Sequence, residues 1–110
     1  MQKITPFLWF DNNGEEAVNF YTSVLENSQI VNVSRYSESA AKATGMPAGS
    51  VFIVSFRLEG QNFTAMNAGP HFKLNESISF FTYCESDEKI ERIYNKLCGA
   101  GKVLFPLDKY

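Results

Sequence analysis

Histidine occurs once in this chain, tryptophan once and cysteine twice, and neither charge sign nor apolar residues form a long run. Each shortage removes a class of function. Cys84 and Cys98 show no CxxC spacing and cannot form the disulfide framework on which small secreted domains depend, so both read as reduced core residues. No segment approaches the roughly 20 apolar residues that cross a bilayer, and no charged start followed by an apolar stretch marks a leader. A membrane is therefore not an expected partner, and the cytoplasm is the expected location. Ten Lys and Arg against 12 Asp and Glu give a net charge of -2, with no basic excess to attract nucleic acid. What is present is 110 residues that are 45% hydrophobic, enough for one core, so residues 1–110 are expected to form a single domain.

Ile4 to Phe10 is apolar and aromatic and stops at Asp11-Asn12-Asn13-Gly14, which predicts a strand, a turn and a helix start. Asn13 can cap that helix with Glu16 as its reciprocal partner. Ala17, Phe20, Tyr21, Val24 and Leu25 then recur at helical spacing as the expected buried stripe. Gln29 to Tyr36 reads as a second strand, and the Ser-, Ala- and Gly-rich Ser37 to Gly49 as a mobile surface loop. Val51 to Leu58 and Asn62 to Asn67, joined across Glu59-Gly60-Gln61, predict an antiparallel hairpin. Ser77 to Cys84 reads as a fifth strand. A second helix follows from Ser86, with Ile90, Ile93, Tyr94, Leu97 and Cys98 as its stripe and Gly99 and Gly101 at its end.

The second helix repeats the offsets of the first at a shift of 73 residues. At that shift Asn13 falls on Ser86, the first strand on Ser79 to Tyr83, and Ile30-Val31 on Val103-Leu104. The expected fold is α+β: paired βαβββ modules forming a cupped mixed sheet, the first module spanning 1–68 and the second, incomplete, spanning 77–110. A full second module would end near residue 140, so an unpaired sheet edge is expected, and truncation, absent residues and completion by another subunit all account for it. A homodimer is one expected assembly.

Particular words in the chain resemble the PhnB-like branch of the vicinal-oxygen-chelate superfamily, whose members include glyoxalases and bleomycin-resistance proteins. These words are Pro6-Phe7-Leu8-Trp9-Phe10-Asp11, Gly60-Gln61-Asn62-Phe63-Thr64-Ala65-Met66-Asn67, Gly69-Pro70-His71-Phe72-Lys73 and Pro106-Leu107-Asp108-Lys109-Tyr110. Many such proteins carry the label 3-demethylubiquinone-9 3-methyltransferase. A methyltransferase of the doubly wound kind needs a Gly-rich turn from strand to helix, whereas Gly14 stands alone, so no cofactor is expected. By the resemblance, metal-ligand positions of the superfamily fall near Thr5, Phe63 and Ile78, which are not metal ligands, and no metal is expected.

The same resemblance, together with strand alternation, places Phe7, Trp9, Phe63, Ala65, Asn67, Phe80 and Thr82 on the inner wall of the cup. All of these except Ala65 are expected to contact a flat aromatic or hydrophobic small molecule, although core packing explains the aromatics as well. Trp9 needs a partner for its indole N–H, and Asn67 could orient a ligand or form a turn. His71, of the one residue type that titrates near neutrality, is the candidate catalytic acid or base; anchoring its loop is the alternative. A binding domain for such a ligand is the first expectation, and an enzyme acting on a quinone-like or other oxygenated molecule is the second.

Overall fold

The computed structural model describes residues 2–75 and 77–100, with backbone only at Ala100. The expected strand at Val103-Leu104, the stop at Gly101 and the Pro106–Tyr110 word lie outside the described residues. The chain divides into two compact units, Met1–Ser77 and Ile78–Tyr110.

The first unit holds β1 (Phe7–Phe10), α1 (Gly14–Val24), β2 (Gln29–Arg35), α2 (Glu38–Thr44), β3 (Val51–Leu58) and β4 (Gln61–Asn67). Its open sheet has the order β1-β4-β3-β2, with β1 parallel to β4 and the other pairs antiparallel. This is the expected βαβββ path with one helix added. Strand β1 begins three residues later than expected because Pro6 has no N–H to donate. Ahead of it the chain still follows β4: Thr64 N–H donates to the Pro6 carbonyl at 2.9 Å. The Gln2 amide exchanges two 3.1 Å bonds with the Asn62 backbone. The β3–β4 turn is Glu59-Gly60, with φ of 50° and 78°, a pair of positive values that matches sheet twist and that glycine adopts without strain.

Helix α1 covers one face of the sheet. Val18, fully buried, packs with Val54, Phe56, Phe63 and Ala65, and Leu8, Phe10, Ile30 and Leu58 surround them. Of the expected stripe of Ala17, Phe20, Tyr21, Val24 and Leu25, Val24 is buried, and Gly14 and Val18 are the other buried residues of α1. The phase follows from the helix start, where Gly14 lies directly against the sheet. Segment 37–49 is not the expected irregular loop throughout. Ser37 Oγ accepts the Ala40 N–H at 3.2 Å, and Gly45 ends α2 in the left-handed region at φ 79°. Alanines supply helix propensity there, but no residue of α2 is buried, so no apolar stripe announced it.

In the second unit α3 (Asp87–Ala100) matches the expected second helix, with Ser86 Oγ accepting the Lys89 N–H at 3.3 Å. Gly99 lies inside its last turn rather than beyond it. Residues 77–84 form no strand among the described residues, which corrects the expected fifth strand. A strand exists only as part of a hydrogen-bonded ladder, and β-prone residues without a described neighbouring strand do not make one. No helix among the described residues is long and apolar enough to cross a membrane.

Candidate functional site

Pairing across the first unit fixes which side chains share a face. Trp9, Met66, Ile53 and Ser34 stand side by side on the four strands, and Phe7, Thr64, Ser55 and Asn32 form the next row. Asn62, Arg57 and Gln29 continue it. All of these lie on the face away from α1. Phe63, Ala65 and Asn67 point the other way, next to Phe56, Val54 and Phe10. The register thus corrects the expectation that they share a wall with Phe7 and Trp9. The physical reason is that α1 needs an apolar floor, and Phe63, 5.5 Å from Phe56 in a stacked pair, provides it.

Asn67, only 4% exposed, joins three elements. Its Oδ1 accepts the Gly14 N–H at 2.8 Å, and its Nδ2 donates to the Val51 carbonyl at 3.2 Å. Its own carbonyl accepts the Tyr36 hydroxyl at 2.5 Å, while the Tyr36 ring stacks on Phe52 at 4.3 Å. Asn13, the expected cap of α1, makes no side-chain capping bond; Asn67 fills that role from across the sheet. A Cβ on Gly14 would lie 2.7 Å from Asn67 Oδ1 and 3.3 Å from Phe10. Gly14→Ala is therefore expected to break that bond and destabilise the fold by about 1–3 kcal/mol, measured by urea unfolding.

Burial of Tyr36 pushes its hydroxyl above the ordinary value of 10.0. The sign follows from linkage. Below pH 10 both folded and unfolded states hold the proton; above it the unfolded chain releases it first, so stability falls as pH rises. Tyr36→Phe should cost about 1 kcal/mol at pH 7 through the lost hydrogen bond. Urea curves at rising pH should show the difference between the two proteins shrinking above pH 10.

On the face away from α1 the aromatics cluster. The Trp9 indole donates to the Gly69 carbonyl at 2.8 Å, which ties the 69–72 loop to β1. Phe72 meets Trp9 edge to face at 5.0 Å and 89°, and His71 does so at 6.3 Å and 80°. Phe7 is 56% exposed and Phe72 66% exposed. Of the residues expected at the site, the structure brings Phe7, Trp9 and His71 to this side of the first unit. Phe80 and Thr82 belong to the second unit, where both are exposed. Among the described residues His71 has no hydrogen-bonded carboxylate or nucleophile partner. Phe72, Met66, Ile53 and Arg57 escaped the sequence reading. The alternation of Ile53, Ser55 and Arg57 with buried Val54 and Phe56 was the signal for two of them, and the phase of β4 for Met66.

No three His, Cys, Asp or Glu side chains cluster among the described residues, so the donor set does not fit a divalent cation. S-adenosylmethionine, which the methyltransferase label implies, does not fit in the doubly wound manner either. The β1–α1 turn has its helix N-terminus occupied by Asn67, and among the described residues the sheet has no successive parallel β-α-β units.

The family model described as 3-demethylubiquinone-9 3-methyltransferase matches residues 2–109. A Bacillus cereus protein of solved structure, described as PhnB and bearing the same methyltransferase label, is 38% identical to this chain. The comparison covers 99% of this chain and 83% of that one, with a TM-score of 0.86. A Staphylococcus aureus protein of solved structure is 33% identical over 96% of this chain and 75% of that one, with a TM-score of 0.48. No curated protein matches.

Proposed function

The chain belongs to the 3-demethylubiquinone-9 3-methyltransferase family in its PhnB-like branch, and from that membership and the aromatic sheet face away from α1 we propose that it is a small-molecule-binding domain holding a flat aromatic or hydrophobic ligand without a metal. The observation that carries this reading is the cluster of Trp9, Phe72 and exposed Phe7 on the sheet face opposite the core. Aromatic side chains left in water on a rigid sheet cost hydration free energy that a flat ligand would recover, and stacked or edge-on aromatic pairs add about 0.5–1.5 kcal/mol each beyond area burial. Methionine and isoleucine beside them adapt to the shape of a ring. Phe63 and Asn67 are left out of this reading because they face α1.

Trp9 is the only tryptophan, so its fluorescence reports on this face alone. Titration with a quinone such as menadione should give saturable quenching, weakened several-fold in Phe72→Ala. Quenching no stronger than that of free tryptophan, and linear in quinone, would count against binding.

The second reading is an enzyme acting on an oxygenated ligand of the same kind, with His71 as acid or base. Its support is the place of His71 beside Trp9. A pH–rate profile that disappears in His71→Ala favours turnover; unchanged ligand binding by that variant with no product favours simple retention.

A homodimer is proposed alongside either reading, on the exposure of Ile78, Phe81 and Tyr83 in the second unit. Sedimentation measurements decide between it and a monomer.

A further inference from the structure

The face of the first unit away from α1 is not uniformly oily. Its Trp9 row carries Met66 and Ile53, whereas four residues along β4 the row of Asn62, Arg57 and Gln29 is polar. Arg57 is the charged side chain of this row; Arg35, paired with Val51 at the other end of β3, donates to the Gly49 carbonyl at 3.1 Å. Arg57 Nε donates to Asn62 Oδ1 at 3.1 Å, and this bond holds the plane of the guanidinium against the sheet. The other N–H groups of that guanidinium have no carboxylate or carbonyl partner among the described residues, and no ion pair neutralises the charge. A half-buried arginine with its stem fixed and its fork free is suited to a planar oxyanion.

We propose that the ligand of this face is an aromatic carboxylate, its rings over Trp9 and Met66 and its carboxylate on Arg57. The inference rests on the reading of the face as a binding surface and adds the charge and length of the occupant. From the Asn62 row to the Met66 row is about 13 Å at ~3.3 Å per residue. The Arg57 side chain reaches over part of that span, so a two-ring acid joins the two ends where a single-ring acid falls short. Net repulsion does not oppose the anion, because no acidic side chain stands on the strands of this face.

The test compares 4-biphenylcarboxylate with its neutral amide by calorimetry on the full chain, using wild type, Arg57→Met and Arg57→Lys. The expected result is that wild type binds the acid at least tenfold tighter than the amide. Arg57→Met should lose that ratio while still binding the amide, and Arg57→Lys should retain part of it. Thermal melting establishes that each variant is folded, and Arg57→Lys keeps the test available should Arg57→Met fail to fold. Equal binding of acid and amide by wild type would overturn the carboxylate inference and leave the binding face standing. No binding of either probe would overturn both.

Discussion

Asn67→Ala should lower the unfolding free energy by about 2–4 kcal/mol, the largest loss expected from any single polar side chain of this fold. The substitution removes the acceptor of the Gly14 N–H and the donor to the Val51 carbonyl, and both groups are then left without partners in a region shielded from water. An unpaired buried polar group costs its full desolvation, about 1–3 kcal/mol, and two are exposed to that cost here. Asn67→Asp keeps an acceptor at the positive end of α1 but loses the bond to Val51, so it should fall between wild type and Asn67→Ala. Because Gly14→Ala disturbs the same bond, the double variant should lose clearly less than the two single losses added together. Additive losses would show that Gly14 and Asn67 act separately.

The second large effect concerns binding. Trp9→Ala should weaken the affinity for a flat aromatic ligand by about 30-fold, as expected when a central aromatic worth about 2 kcal/mol is truncated. Two losses combine: the indole surface itself, and the 2.8 Å bond to Gly69 that places Phe72 against it. Trp9→Phe restores a ring but not the donor, and should recover part of the affinity. Calorimetry with both variants, each checked for folding by circular dichroism, measures these ratios. A Trp9→Ala variant that binds as wild type does would remove Trp9 from the site.

The path of the first module was legible because its signals are local. Apolar runs ended by Asp11-Asn12-Asn13-Gly14 and by Glu59-Gly60 mark strands and turns whatever lies around them. The antiparallel hairpin of β3 and β4 followed from them. What failed depended on partners distant in sequence. The alternation in Asn62 to Asn67 is plain, yet which half of it meets α1 depends on Phe56, Val54 and the parallel pairing of Trp9 with Met66. Asn13 looked like the cap of α1, but a side chain 53 positions beyond Gly14 supplies the acceptor. Helix α2 went unseen because none of its residues is fully buried and no apolar stripe marks it. Its cap, Ser37, and its stop, Gly45, were nonetheless in the sequence. For the site, Phe7, Trp9 and His71 were legible as aromatic or titratable residues in the words shared with PhnB-like proteins. Arg57 was not, since an arginine near a hairpin reads as a solvated edge until its neighbours are known.

Nuclear magnetic resonance offers the most direct trial of a ligand surface around Trp9, since the single indole gives a single Hε1 signal. On adding a biaryl ligand, ring currents should move that signal together with the methyl groups of Ile53 and Met66, while the methyls of Val18, on α1, and of Val54, beneath it, stay in place. Shifts confined to the helix-covered side, or none at the indole while ligand binds elsewhere, would contradict the account.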